Sequence, residues 1–203
     1  MDLDRGLLCG HSPVARRELT ALWVDHVPSP LGTLTMVGAH GALRALAFPV
    51  ERARMLRRLR SRYPGVVFEQ RRAPDSYAAR LRAYFRGDLQ ALDDIPVDCG
   101  GTAFEQQVWS ALRTIPPGTT LTYRKLAELV RRPRAIRAVG RANALNPVCL
   151  VVPCHRIVGS DGDLTGYAGG IWRKRWLLAH EGVPTTHPAK QNGRSGLIRS
   201  ARL

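Results

Sequence analysis

The residues best suited to chemistry are a thiol and an imidazole side by side, Cys154 and His155, in the segment Pro153-Cys154-His155-Arg156-Ile157. The thiolate is the reactive form of cysteine, and an imidazole can take up the thiol proton and stabilise that form. We therefore expect the pKa of the Cys154 thiol to lie below its usual value. Glu181, at the end of the last predicted helix, could orient the imidazole as a third member of the group.

The apolar residues 149–152 that precede this segment predict a strand that carries Cys154 to the rim of a core. Neighbours along a strand point to opposite faces, so contact between the Cys154 and His155 side chains requires a turn or a bridging water. A purely structural interpretation stays open, because a single cysteine after two valines is more often a small buried apolar residue, and a glutamate near a helix end is usually solvated.

A dense arginine segment lies before the cysteine. Between Thr122 and Asn146 there are seven basic residues and one acidic residue, Glu128. Arg134, Arg137 and Arg141 recur at positions i, i+3 and i+7, which places them on one face of a helix. The small residues between them, among them Ala138, would let the helix approach a partner closely. An arginine-rich helix face is more often simply exposed to solvent, but this pattern favours contacts with nucleic-acid phosphates.

The composition narrows the class of protein. The chain has 203 residues, with 31 basic against 16 acidic residues and a net charge of +15, an excess that favours a polyanionic partner. We find no apolar run long enough to span a membrane and no secretory signal, and we expect a cytoplasmic protein. The cysteines are irregularly spaced and predicted to be free thiols: Cys9, Cys99, Cys149 and Cys154.

The first half of the chain predicts a small domain of strands and helices. Residues 1–18 are interpreted as a flexible arm, and residues 19–95 as an α/β domain with antiparallel strands. The predicted strands cover 22–27, 34–37, 43–48 and 66–68, with turns at Ser29-Pro30-Leu31-Gly32 and at 38–41. Apolar spacing predicts helices over 51–62 and 77–85.

The second half, residues 101–183, is predicted to be mostly helical and to follow a linker over 96–101. Thr102 and Glu105 have the spacing of a capping box at the start of its first helix. Short helices over 123–130 and 134–144, joined by a tight polar turn, match a helix-turn-helix. A last helix covers 171–180, and residues 184–203 form a basic tail that we predict to be disordered. The fold class is therefore α/β (α+β).

The sequence resembles the O6-alkylguanine-DNA alkyltransferase family, whose members are also called methylated-DNA–protein-cysteine methyltransferases. The resemblance spans roughly residues 20–183 and is strongest from Gly101 to Gly182. The Pro-Cys-His-Arg motif followed by a Gly-rich loop and a helix is highly specific. Further matching elements, in chain order, are Ser29-Pro30-Leu31-Gly32, residues 102–109, Arg137-Ala138-Val139-Gly140, Asn146-Pro147, Gly166-Tyr167-Ala168-Gly169-Gly170 and residues 177–182.

The resemblance implies that Cys154 accepts the alkyl group from guanine O6 and keeps it as a stable thioether, so that each molecule acts once. His155 and Glu181 would form a relay that draws off the thiol proton through water. Tyr123 would donate a proton toward the departing base, and Asn146 would be the turn residue beside the active-site strand. The guanine pocket would be formed by Val158, Gly166, Tyr167 and Ala168.

The resemblance also implies that the target nucleotide is turned out of the duplex and that Arg137 fills the space it leaves. The helix of Arg134, Ala138 and Arg141, together with Thr122 and Arg124 at the start of the preceding helix, would contact the DNA in the minor groove. The implied partner is double-stranded DNA carrying alkylated guanine. The protein would be a monomer in solution that could bind DNA cooperatively, with thymine O4 adducts as a second substrate left open.

No cofactor and no membrane partner is expected. A zinc site that combined Cys9 and His11 with His26 or His40 fits no familiar ligand spacing.

Three other functions fit the sequence less well than alkyl transfer. A non-catalytic lesion-binding protein would lack the acceptor cysteine, a transcriptional regulator would carry a further Cys-rich domain, and a cysteine hydrolase would need an oxyanion hole that the sequence does not indicate.

Overall fold

A computed structural model of the protein describes residues 20–184. The predicted arm at 1–18, with Cys9 and His11, lies outside the described residues, as does the predicted tail beyond Pro184. The amino-terminal part contains four strands, β1 (Ala21–Val27), β2 (Leu34–Ala39), β3 (Ala42–Ala47) and β4 (Val67–Gln70), in the order β3-β2-β1-β4. Helix α1 (Arg52–Arg62) connects β3 to β4, and helix α2 (Asp75–Phe85) follows β4.

The sheet is mixed, and this corrects the prediction of an antiparallel sheet. Strands β1, β2 and β3 pair antiparallel, as their short hairpin connections require. Strand β4 instead pairs parallel to β1, with Ala21 opposite Val67. The physical reason is the helix between β3 and β4. A helical crossover returns the chain in its original direction, so β4 runs the same way as β3 and β1.

Both faces of the sheet are covered. Leu22 and Val24 of β1 pack with Met55 and Leu59 of α1 on one face. The intervening Trp23 faces the other side and belongs to the core shared with α2 and the carboxy-terminal helices. This alternation is the period-2 pattern of a strand between two layers.

The outer edge of β3 is joined to two segments of the second half. The backbone N–H of Leu43 donates to Pro96 O (2.8 Å), and that of Asp98 donates to Leu43 O (2.9 Å). Further along β3, Leu46 N–H donates to Pro147 O and Cys149 N–H donates to Leu46 O, both at 3.0 Å. The predicted linker therefore starts as a segment bonded to the sheet edge, and the same edge holds the chain that leads to Cys154.

The carboxy-terminal part contains helices α3 (Ala103–Arg113), α4 (Tyr123–Leu129), α5 (Ile136–Ala144) and α6 (Ile171–His180), with short strands β5 (Leu121–Thr122) and β6 (Ile157–Val158). Helices α4 and α5 pack on each other and on α3, which confirms the predicted two-helix unit. Helix α5 begins two residues later than predicted, because residues 130–135 form the turn and Arg131 has a left-handed backbone (φ 56°).

The prediction of a strand over residues 149–152 is wrong. These residues form a tight turn in which Val152 N–H donates to Val148 O (3.0 Å) and Leu150 has φ 69°. Leu150, Val151 and Val152 are buried in the core, which explains the strand-like composition. A buried apolar run has the same appearance whether the backbone is extended or turned.

The predicted capping box at the start of α3 is present. Thr102 Oγ1 accepts from Glu105 N–H (3.2 Å), and Glu105 Oε2 accepts from Thr102 N–H (2.8 Å). We expect Thr102→Ala to lower the free energy of unfolding by about 1 kcal/mol, because a backbone donor loses its partner. Urea denaturation measures this. Thr119→Ala, at an exposed threonine whose side chain bonds to no described residue, is the control, and an equal loss in both variants would contradict the cap assignment.

Candidate active site and nucleic-acid interface

Cys154 starts a 3-10 turn, Cys154–Arg156, that directly precedes β6. The side chain of Asn146 shapes this region, because its Nδ2 donates to Val152 O (2.8 Å) and its Oδ1 accepts from Val148 N–H (2.9 Å). Asn143 Nδ2 lies 3.5 Å from Cys154 O. The sequence analysis required a turn or a bridging water for the Cys154 and His155 side chains to interact. The structure has a turn at this place, and adjacent residues of a turn need not point to opposite faces.

Glu181 is the centre of a buried hydrogen-bond network. Its Oε1 lies 3.0 Å from His155 Nε2 and accepts from the Tyr84 hydroxyl (2.8 Å) and from Arg156 Nη2 (2.9 Å). Its Oε2 accepts from Arg156 Nε (2.9 Å). Arg156 also donates to the backbone oxygen of Ile115. The carboxylate thereby links α2, the turn after Cys154 and the end of α6.

The charge states in this network follow from burial and hydrogen bonding. Burial alone would raise the pKa of the Glu181 carboxyl, but hydrogen bonds from His155 and Arg156 outweigh it and hold that pKa well below its usual range. Burial lowers the pKa of His155, so the imidazole is neutral at neutral pH. Because Glu181 is ionised, the single imidazole proton is on Nε2, and Nδ1 is an acceptor. Nδ1 is buried without a hydrogen-bond partner among the described residues.

The expected low thiol pKa is not found. Burial raises the pKa of Cys154 above its usual value, while a hydrogen bond with the Asn146 side chain and the positive charge of Lys174 act in the opposite direction. The resting thiol is therefore protonated at neutral pH. Formation of the thiolate requires a base, and Nδ1 of the adjacent residue His155, which has no partner among the described residues, is the candidate acceptor.

Tyr123 is held beside this site by the pairing of β5 with β6, in which Thr122 is opposite Val158. Burial raises the pKa of the Tyr123 hydroxyl, and the charge of a Cys154 thiolate acts in the same direction, whereas side-chain hydrogen bonds with Thr165 and Asn143 oppose them. Tyr123 is therefore a protonated donor at neutral pH. Thr122 caps α4, since its Oγ1 accepts from Lys125 N–H (3.2 Å).

A cavity of about 100 Å³ reaches Cys154 from the space between α1 and the end of α5. We call it the α1–α5 cleft. Its floor includes Cys149 and Cys154, and the predicted pocket residues Gly166, Tyr167 and Ala168 line it together with Asn146. The Tyr167 hydroxyl is buried and has no partner among the described residues. Val158 does not line this cleft and is buried in β6.

Most of the predicted DNA-contacting side chains are exposed to solvent. Arg134, Arg137, Ala138 and Arg141 are exposed on α5 or just before it, while Val139 and Ala142 of the same helix are buried. Arg124 is exposed on α4, and Thr122 at its start is half-buried. Arg137 and Arg141 are thus exposed on α5, whereas Arg134 lies in the turn before the helix and not on its face, because α5 begins only at Ile136.

Three residues of the site were not predicted. Arg156 is in the Pro-Cys-His-Arg motif, and its buried position next to an ionised glutamate explains why an arginine is there. Lys174 is buried, donates from Nζ to Ile157 O (2.6 Å) and Thr165 O (2.9 Å), and has its pKa lowered by burial to about 8. Tyr84 comes from the other half of the chain, and no local sequence signal connects it with Glu181.

A helix-turn-helix with exposed arginines, followed in the chain by a buried cysteine beside a histidine, is typical of a DNA-binding protein that carries a reactive cysteine. The profile described as "6-O-methylguanine DNA methyltransferase, DNA binding domain" matches residues 103–183. The methylated-DNA–protein-cysteine methyltransferase of Shigella flexneri is 44% identical over 161 residues, 78% of this chain and 94% of the relative. That of Methanosarcina barkeri is 39% identical over 160 residues, 79% and 97% of the two chains.

Solved structures agree with these relatives. The crystal structure of Mycobacterium tuberculosis OGT in complex with DNA is similar, with a TM-score of 0.68, 37% identity, and coverage of 81% of this chain and 96% of that one. The chain belongs to the O6-methylguanine DNA methyltransferase family. Across residues 20–184, no helix is both long enough and apolar enough to cross a membrane.

The depressed pKa of Glu181 predicts a pH-dependent stability. A carboxyl whose pKa is lower in the folded state stabilises the fold above its unfolded pKa of about 4.3, and this stabilisation is lost as pH falls toward the folded value. Glu181→Gln leaves Arg156 buried without its counter-charge and should cost about 3–5 kcal/mol at pH 7. Urea unfolding should show the gap between wild type and variant narrowing below about pH 4.3.

The control for this measurement is Glu128→Gln, which removes an exposed carboxylate 2.9 Å from Lys125 Nζ and should cost at most about 1 kcal/mol. A gap between wild type and Glu181→Gln that stays constant down to acid pH would contradict the assignment of an ionised, strongly bonded Glu181.

Proposed function

We propose that the protein repairs alkylated DNA by transferring the alkyl group from guanine O6 to its own Cys154, once per molecule. The observation that carries this proposal is the arrangement of His155. Glu181 holds its Nε2, and its Nδ1 is a buried acceptor in the residue next to the thiol. A non-catalytic lesion-binding protein remains the alternative, and the presence of Cys154 within this network argues against it.

The reaction begins with the thiol proton. It passes to His155 Nδ1 through a water, and the imidazolium that forms is stabilised by the Glu181 carboxylate. The sulfur then attacks the alkyl carbon, a C–S bond forms, and the bond between that carbon and guanine O6 breaks. Tyr123 donates a hydrogen bond to the guanine as negative charge builds on the ring and keeps its own proton. The proton taken from the thiol, held on His155, is finally transferred to the guanine. The products are a thioether and unmodified guanine.

The raised pKa of Cys154 suits this scheme. A protonated, buried thiol is unreactive toward other electrophiles, and its proton is removed only when the alkyl carbon is in place. Asn146 positions the turn before Cys154, and Lys174 supplies a positive charge that favours the thiolate. Gly166, Tyr167 and Ala168 enclose the base in our proposal, without Val158, and the small side chain of Ala168 leaves room for the alkyl group.

DNA is bound through the exposed face of α5. Arg134 and Arg141 contact phosphates together with Arg124 and Thr122, while the small Ala138 lets the helix approach the minor groove. Arg137 enters the base stack and takes the place of the nucleotide that turns out toward Cys154. We further propose that the protein acts in the cytoplasm as a monomer on double-stranded DNA. Cooperative binding to DNA is not needed for the transfer, because one molecule reacts with one lesion.

Replacing Cys154 separates transfer from binding. Cys154→Ala should abolish alkyl transfer to the protein, because the sulfur is the acceptor, while the affinity for a duplex with O6-methylguanine changes little. Transfer is followed by mass spectrometry and affinity by fluorescence anisotropy. Cys149→Ala is the matched control, since this thiol lines the same cleft, and it should leave transfer intact. Loss of lesion binding in Cys154→Ala would instead indicate a structural cysteine.

Arg137 is tested by comparing two substrates. Arg137→Ala should slow the reaction with alkylated duplex by about 10²-fold or more, because the extruded nucleotide is no longer replaced in the stack, yet leave the reaction with free O6-benzylguanine unchanged. Arg132→Ala removes the same charge from the preceding turn and should have a small effect on both. Equal losses of rate on both substrates would refute the role of Arg137.

A further inference from the structure

Helix α1 carries an unusual charge. Six of its eleven residues are arginine and none is acidic. Met55 and Leu59 are buried against the sheet, so the helix is fixed and its arginines project from a rigid support. The catalytic scheme uses none of these arginines.

Three of the six share one face and line the α1–α5 cleft. Arg54, Arg58 and Arg62 follow each other at i, i+4 and i+8, a spacing that stacks side chains along one side of a helix. Arg44 of β3 lines the same cleft, and its guanidinium is 2.8 Å from Asp98 Oδ2. The opposite wall is formed by residues 143–147 at the end of α5.

The arginines of this face are only partly neutralised. Arg54 pairs with Glu51, and Arg62 Nη1 donates to Cys99 O (2.7 Å). Arg58 is exposed and makes no hydrogen bond or ion pair with any residue the structure describes. Partial burial of its side chain and the positive charges of Arg54 and Arg62 lower the pKa of Arg58, although Glu51 and Glu105 act in the opposite direction. Such crowding of positive charge is relieved when an anion binds among the guanidinium groups.

The position of the cleft identifies the anion. The cleft is also lined by residues 143–147, at the carboxyl end of α5, and the same helix carries Arg137 and Arg141 on its exposed side. A polyanion that follows α5 past its carboxyl end would meet the arginines of α1. Guanidinium groups bind phosphate oxygens in bidentate fashion, and regularly spaced arginines suit a regularly spaced backbone.

We propose that Arg54, Arg58 and Arg62 form a second phosphate-binding surface, which contacts the sugar–phosphate backbone of the same DNA that α5 holds. This inference rests on the proposed function only in its DNA binding. The amino-terminal part of the protein thereby contributes affinity for DNA as well as structural support for the site. Because its contacts are made with phosphates alone, the surface adds affinity without distinguishing one base sequence from another.

Two triple variants of the same helix test this proposal. One replaces Arg54, Arg58 and Arg62 with glutamine, and the other replaces Arg52, Arg57 and Arg60, which lie outside the cleft. Both remove three charges from α1. Duplex binding is measured by fluorescence anisotropy from about 50 to 200 mM KCl, because each lost phosphate contact lowers the slope of log K against log salt by about 0.9. Thermal unfolding of both variants checks that they fold.

We expect the cleft variant to lose about two to three units of slope and at least about tenfold in affinity, and the outer variant to lose less than about one unit. Transfer from free O6-benzylguanine by the wild type tests the proposed function separately. Equal losses in the two variants, no loss in either, or a cleft variant impaired on anionic phosphatidylglycerol vesicles but not on DNA would overturn the proposal. Absence of free-base transfer in the wild type would count against the proposed function alone.

Discussion

The ionised carboxylate of Glu181 is the interaction on which the rest of the site depends. Four hydrogen bonds converge on it, from Tyr84, His155 and Arg156. A buried charge is tolerated only when it is paired and fully hydrogen-bonded, so removal of any of these donors exposes the cost of its burial. The same bonds fix the imidazole tautomer, which leaves Nδ1 unprotonated. The hydrogen bonds to Glu181 therefore determine both the stability of this region and the protonation of His155.

The amino-terminal half takes part in this arrangement at two places. The outer edge of β3 holds the chain at Pro147 and Cys149, a few residues before the reactive thiol. Helix α2 supplies the Tyr84 hydroxyl, and the backbone oxygen of Tyr84 is 2.8 Å from His180 Nε2. Tyr84 also packs edge-on against the rings of Phe85 and His180. The sheet and α2 thus fix the positions of the turn before Cys154 and of the end of α6. The amino-terminal half therefore supports the site, although Cys154, His155 and Glu181 all lie in the carboxy-terminal half.

What the sequence could predict depended on whether the signal was local. Some features are determined by a few consecutive residues, so spacing and residue type are enough to predict them. These are the capping box of α3, the two-helix unit and the adjacent Cys154 and His155. The turn over 149–152 was mispredicted because buried strands and buried turns have the same apolar composition. The parallel direction of β4 was missed because it depends on the helical crossover before β4 and not on the composition of the strand. Tyr84 could not be found, since its contact with Glu181 depends on how the two halves pack.

The central claim is that Cys154 is consumed in a single transfer, and intact-protein mass spectrometry tests it most directly. The protein is incubated with an excess of duplex carrying O6-methylguanine, and the products are weighed and mapped by peptide analysis. We expect every active molecule to gain the mass of one methyl group, located on Cys154, and to gain no more however much substrate remains. Continued demethylation of the duplex by an unmodified protein, or a methyl group on another residue, would contradict it.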